Sequence, residues 1–224
     1  MTARMDSLKF IDAHGGRLGA FRCAYCGRIG KATKEHVVPS CFYPSSRSTS
    51  RVQRITVPAC RPCNDELADD EAQAKHVLLV AGESNAAAQE LWLSAWRAMT
   101  AADDARRRLL DLVDQLVPTV IDGRERHVIY PGRDERVMRV IRKIVRGLCH
   151  HHRVATAIPD TRVQVRVLDP SPPPELLKHI ELHHVERDIV EYWYDDSAEH
   201  PAIQSMWFLR FFERRDFLAL VLAS

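Results

Sequence analysis

Three stretches decide the reading: Cys23-Ala-Tyr-Cys26-Gly27, Lys34-Glu35-His36-Val37-Val38-Pro39 and Cys60-Arg-Pro-Cys63-Asn64. The first and third are Cys-x2-Cys pairs, and the second lies between them. A two-residue gap lets both thiolates of a pair turn toward one point. Two such pairs complete a tetrahedral shell of four soft ligands around Zn²⁺, with no position left open for substrate. Gly27, directly after a thiolate, relieves the tight turn through its freedom at positive φ. The competing readings are four unrelated buried cysteines or a redox pair. A redox Cys-x-x-Cys needs only one pair, on a thioredoxin-like pattern that is not visible here. Cys41 and Cys149 read as apolar fillers, although Cys41 sits between the pairs and competes as a ligand.

Outward from these motifs, composition sets the class. The 224 residues are 46% hydrophobic and 28% charged, which suits a globular chain with its own core. No apolar run is long enough to span a bilayer, and no secretory signal follows Met1. The expected location is therefore the reducing cytoplasm, where six cysteines favour metal binding or burial over disulfides. Of the 32 Lys+Arg and 30 Asp+Glu, 11 basic and 3 acidic residues fall in positions 1–64, so that part carries +8 and the rest −6. Such asymmetry points to a polyanionic partner for the basic part.

The coarse organisation is a short lead-in over 1–22, a metal module reaching to about 82, and an α+β domain over 83–224. Polar residues from Pro44 to Arg54 read as a loop. A helix is expected from Asp65 to about Ala81, with Asn64 as its N-cap and Gly82 as its stop. Further helices are expected over Ser84–Met99, Ala102–Leu116 and Glu135–Leu148, the last with Val137, Val140, Ile141, Ile144 and Leu148 on one face. Strands are expected over Arg126–Tyr130, Arg162–Leu168, Ile189–Tyr194, Met206–Phe212 and Phe217–Leu222. Asp122-Gly123 marks a turn, Asp169 to Pro174 a stiff loop, and Glu175–Ile180 a short helix. The last two strands read as a hairpin around Glu213–Asp216 that lacks the usual glycine.

Taken in order, Cys23-x-x-Cys26, Glu35-His36-x-x-Pro39 and Cys60-x-x-Cys63-Asn64 resemble the HNH endonucleases, the zinc-bearing branch of the ββα-metal nucleases, over about residues 20–80. The resemblance implies a strand hairpin crossed by the helix after the second pair. It further implies a divalent cation, Mg²⁺ or Mn²⁺, held by Glu35 and Asn64, with His36 as general base in hydrolysing phosphodiester bonds of DNA. Neutral imidazole is suited to that role near physiological pH. Lys31, Lys34, Arg47, Arg51, Arg54 and Arg61 are candidate phosphate contacts. Asp70, Glu71 or His76 could add a metal ligand.

The chain also departs from the family. Val52-Gln53-Arg54-Ile55-Thr56-Val57 lacks the asparagine usual before the second pair, and Asn64 stands where histidine is frequent. In addition, adjacent side chains of an extended strand face opposite ways, so Glu35 and His36 share a site only if the chain bends there. These points sustain the alternative of a non-catalytic zinc ribbon binding nucleic acid or a protein. His150-His151-His152, directly after Cys149, could bind metal, but adjacent residues of a helix do not share a face, and they read as positive charge favoured at a helix C-terminus; His183-His184 reads similarly. The aromatic group Tyr192, Trp193, Tyr194, Trp207, Phe208, Phe211, Phe212 and Phe217 reads as sheet core. The second domain is expected to dimerise, choose a target or bind a partner; the pattern implies no membrane partner.

Overall fold

A computed structural model describes residues 8–11, 17–47, 54–81, 85–101, 103–196 and 200–223. Arg51, Gln53, Gly82, Ser84 and Ala102, each given a role above, lie outside the described residues. The architecture is α+β, built from helices and small antiparallel sheets. No helix is long and apolar enough to cross a membrane among the described residues.

The lead-in is itself structured, as strands β1 (Leu8–Ile11) and β2 (Arg17–Arg22), which pair antiparallel; β2 then pairs with the short β3 (Ile29–Gly30). Next come β4 (Thr33–His36) and β5 (Thr56–Ala59), antiparallel with Glu35 opposite Val57 and His36 opposite Thr56. The expected helix after the second cysteine pair is two helices, α1 (Arg61–Asp65) and α2 (Ala68–Val80). Its N-cap is Cys60, not Asn64, which lies inside α1. Pro62 at the second helical position explains the early start, because the missing N–H of proline is no loss in a first turn.

Helices α3 (Ala86–Ala101) and α4 (Asp103–Asp114) follow, and the Asn85 side chain caps α3 by accepting from the N–H of Ala88 at 2.9 Å. Strands β6 (Val117–Ile121) and β7 (Arg124–Val128) form a hairpin. Its turn residues Asp122 and Gly123 are both left-handed, with φ of 50° and 72°, as a tight two-residue turn requires.

Helix α5 (Glu135–His151) is the spine of the protein. Asp134 caps it by accepting from the Arg136 N–H at 3.0 Å. Val137, Val140, Ile141, Ile144 and Leu148 are all buried, as their spacing predicts. Beyond α5 lies a five-stranded antiparallel sheet, ordered β8-β12-β11-β10-β9. Its strands are β8 (Val163–Leu168), β9 (His183–His184), β10 (Val190–Asp195), β11 (Ile203–Phe211) and β12 (Arg215–Leu222), with the short α6 (Pro174–Leu177) between β8 and β9. The aromatic group sits in this sheet, except Phe212 in the turn after β11, and Trp207, Phe211 and Phe217 are fully buried.

The β11–β12 turn replaces glycine with Phe212 and Glu213, both left-handed at φ 50° and 61°. Each such residue costs about 1–2 kcal/mol. Phe212 offsets this cost by burying its ring and donating its N–H to the Ile189 carbonyl at 2.9 Å.

A single buried core runs from Cys23, Tyr25, Val37 and Phe42 through α2 and α5 to β10, β11 and β12. The strands around the cysteine pairs therefore pack on the same helix as the sheet. Gly147 marks the closest approach: a Cβ there would lie 3.0 Å from the Tyr25 hydroxyl and from both Val37 methyls. Only a residue without a side chain lets the two elements come this near.

Candidate metal centre

Strand β2 delivers Cys23 to the head of a tight turn, in which the Gly27 N–H bonds the Cys23 carbonyl at 3.0 Å and Gly27 takes φ 72°. That left-handed conformation is why glycine stands there, and a Cβ would also meet the Cβ of Ala157 at 3.0 Å. The turn is tied to the second pair through the Ala24 N–H, which donates to the Pro58 carbonyl at 2.8 Å. Cys60 follows β5 directly and caps α1, and Cys63 follows on the first turn of that helix.

These elements bring Cys23, Cys26, Cys60 and Cys63 together, with all four sulfurs within 4.8 Å of one another. The Cys26 and Cys60 sulfurs are 3.7 Å apart. A tetrahedral zinc with bonds near 2.3 Å spaces its sulfurs by roughly 3.8 Å, so the donor set fits. Cys23 is buried, Cys26 exposed, and Cys60 and Cys63 half-buried. Burial opposes ionisation of Cys23, but backbone N–H groups of Cys26, Cys60 and Tyr25 outweigh it and hold its thiol down at about 7. One of these, the Cys60 N–H, donates to its sulfur at 3.4 Å. Cys63 is pushed the other way, by burial and by the neighbouring thiols. Four thiols crowded at one point repel as anions, and a divalent ion relieves that repulsion. Cys41 stands apart: it is half-buried and donates to the Glu71 carbonyl at 3.7 Å.

The residues between the pairs are disposed differently. Glu35 is 6% exposed, and its carboxylate meets the Lys143 ammonium of α5 at 2.7 Å. Lys143 is itself 3% exposed and meets Glu71 of α2, also at 2.7 Å. Burial raises the Glu35 carboxyl above its usual range, and Lys143 pulls it back. His36 is half-buried, and its Nδ1 is buried with no hydrogen-bond partner. Burial first, then the Arg54 and Lys34 charges, lowers its basicity, so it is neutral at physiological pH.

Strand β4 keeps a regular register through both residues, and the Val37 N–H continues the pairing by bonding the Ile55 carbonyl at 3.0 Å. Glu35 and His36 therefore face opposite sides of the strand, without the bend that a shared site requires. The Asn64 amide donates to the Thr33 hydroxyl at 2.8 Å, and that hydroxyl donates to the Ala59 carbonyl at 2.9 Å. Thr33 and Glu35 lie two positions apart on β4, so Asn64 approaches the Glu35 side of the strand, away from His36.

Of the residues named as extra ligands, the two acids are paired and the histidine is buried. Asp70 pairs with Arg139 at 2.9 Å, Glu71 with Lys143, and His76 is 6% exposed in the core with an unpartnered Nδ1. No second group of three or more potential metal ligands gathers tightly among the described residues.

Of the five candidate phosphate contacts among the described residues, three face acids of the same chain. Arg47 meets Glu186 at 2.9 Å and grips Asp188 with both guanidinium ends. Arg54 lies 3.8 Å from Glu186 and stacks over the Tyr43 ring at 3.9 Å. Arg61 pairs with Asp65 at 2.5 Å. Lys31 and Lys34 remain exposed. Part of the charge asymmetry of the sequence is thus neutralised within the fold.

The residue that sequence reasoning missed is Lys143. Its signal was present: it stands three residues after Val140 and four before Gly147, on the buried face of α5, where a cation needs a carboxylate. Compared with protein-family models, with curated proteins and with solved structures, the chain matches none.

Proposed function

We propose that this chain is a nucleic-acid-binding protein whose four-cysteine centre holds a structural zinc and whose zinc-stapled strands carry out no hydrolysis. The observation behind this reading is the Glu35–Lys143 pair. A catalytic cation needs an oxygen ligand open to solvent and to phosphate. The Glu35 carboxylate is buried and already neutralised. Zinc with four cysteines has no vacant position, so its part is to clamp β2, β5 and α1. Exposed Lys34 on β4 and Lys31 in the link just before it supply phosphate contacts.

The test joins three measurements on the purified chain: zinc content, salt-dependent binding to labelled oligonucleotides, and nicking of plasmid with Mg²⁺ or Mn²⁺. One zinc per chain, binding that weakens steeply with salt, and intact plasmid support the proposal. Absence of zinc or of oligonucleotide binding refutes it.

A second reading is the HNH phosphodiesterase with His36 as base and Glu35 and Asn64 as cation ligands. It is favoured by the order β4, β5, α1 and by a neutral imidazole whose Nδ1 is free. It requires Glu35 to exchange Lys143 for a cation. Metal-dependent nicking that disappears in His36→Ala would reverse the ranking.

A further inference from the structure

Away from the cysteine centre, a cleft of about 1230 Å³ opens between the β6–β7 hairpin, the turn before α5, and the ends of β8 and β12. Val80 and Ala81, at the end of α2, form part of its wall. Five arginines line it: Arg124, Arg126, Arg133, Arg214 and Arg215. The acids present are Asp122, Asp169 and Asp216, so cations outnumber anions. Asp216 is further withdrawn, because it is 2% exposed and gripped by Arg210 at 2.8 and 3.0 Å. Among the described residues Arg124, Arg126 and Arg133 make no ion pair, and all three are exposed.

Arg215 is the telling member. It is half-buried, and its Nε is buried with no hydrogen-bond partner. Its closest hydrogen-bonded oxygen is the Arg214 carbonyl, at 3.5 Å from Nη1. Burial lowers its basicity against the pull of Asp169 and Asp216. A desolvated guanidinium without its full set of acceptors is costly, and an incoming anion with several oxygens removes that cost. Arg133 also lies over the exposed Tyr130 ring at 4.8 Å, which adds a flat platform beside the charges. Guanidinium groups tracking a groove with an exposed aromatic beside them are the composition of nucleic-acid strand channels.

We infer that this cleft binds the phosphodiester backbone of a nucleic-acid strand, with Arg126, Arg133 and Arg215 as phosphate contacts. The inference rests on the nucleic-acid reading above and moves the main contact surface from the cysteine-bearing strands to the region of α5. The guanidinium fork matches phosphate oxygens two at a time, whereas Lys31 and Lys34 act as point charges. Flanking Asp122 and Asp169 repel phosphate from the rim and restrict where a strand lies.

The experiment compares the wild-type chain, the exposed double variant Arg126→Ala/Arg133→Ala, and Arg215→Gln. Fluorescence anisotropy follows a labelled mixed-sequence oligonucleotide across a salt series, with inorganic pyrophosphate as a separate probe. The double variant is expected to bind about tenfold or more weaker, with a salt slope smaller by about 1.5–2. Arg215→Gln is expected to weaken binding in the same direction; should it fail to fold, the exposed double variant still decides. Wild-type binding with an unchanged double variant overturns this inference and leaves the nucleic-acid reading standing. A wild-type chain that binds no oligonucleotide overturns both. Pyrophosphate binding without oligonucleotide binding marks a small-anion site and overturns the strand.

Discussion

Lys143 of α5 lies 2.7 Å from Glu35 of β4, and both side chains are almost wholly buried. With Glu71 at the same distance, one cation bridges two carboxylates, one from β4 between the cysteine pairs and one from α2 after them. Such a pair adds little to stability over an apolar substitute, but breaking it strands a charge in the core.

Lys143→Met should therefore destabilise the chain by about 3–5 kcal/mol, because Glu35 and Glu71 lose their counterion together. Glu35→Gln keeps the shape and leaves Lys143 with Glu71, so its cost should be smaller, about 1–3 kcal/mol. Urea denaturation midpoints at neutral pH check both. Equal midpoints for Lys143→Met and wild type would show that the triad does not form.

Removing the metal site should loosen the strands that carry the cysteines. Cys60→Ser is expected to lose its zinc, measured by elemental analysis, and to melt at a lower temperature than wild type. Structural zinc in small finger peptides contributes about 10–16 kcal/mol of apparent binding energy. Here the same strands also pack on α5, so partial structure should survive, seen as retained helical circular dichroism.

Gly147→Ala tests the seam between α5 and the cysteine-bearing strands. Alanine favours a helix by about 1 kcal/mol over glycine. The new methyl would meet the Tyr25 hydroxyl and two Val37 methyls at 3.0 Å. Overpacking costs about 1–3 kcal/mol, so the net effect should be destabilising, and Gly147→Val should be worse. A stabilised Gly147→Ala protein would mean that the seam has room for a methyl group and that the 3.0 Å approach does not hold.

Acid should weaken the fold through histidines. His76 and His152 have their basicity lowered from 6.5 to about 4, chiefly by burial. A depressed histidine binds fewer protons folded than unfolded. Its contribution is therefore complete above pH 6.5 and is lost as pH falls toward 4. His152 also exchanges a hydrogen bond of 2.9 Å with the Tyr192 hydroxyl, so its loss disturbs the sheet. A plot of unfolding free energy against pH should fall across that window and be flatter in His76→Leu.

Local elements were largely legible in the sequence. The apolar stripe of α5 and the Asp122-Gly123 turn follow from side-chain spacing and backbone freedom, which act over a few residues. Helix α1 begins earlier than expected, since the cap is Cys60 and Asn64 turns inward to Thr33. The β11–β12 turn was legible only as a hairpin; its left-handed Phe212 is held by burial of the ring and by the N–H bond to the Ile189 carbonyl, which no local signal carries.

By itself the sequence determined the donor set: two Cys-x2-Cys turns suffice to bring thiols in pairs, because two residues of chain span that distance. Only the tertiary structure decided which residues surround that set. Glu35 reads as a reactive acid beside His36 until α5 folds back and lays Lys143 against it. Basic Arg47 and Arg54 likewise read as phosphate contacts until Glu186 and Asp188 arrive on the segment leading into β10. Charges act through space, and the partner of each is chosen by packing between segments far apart in the chain.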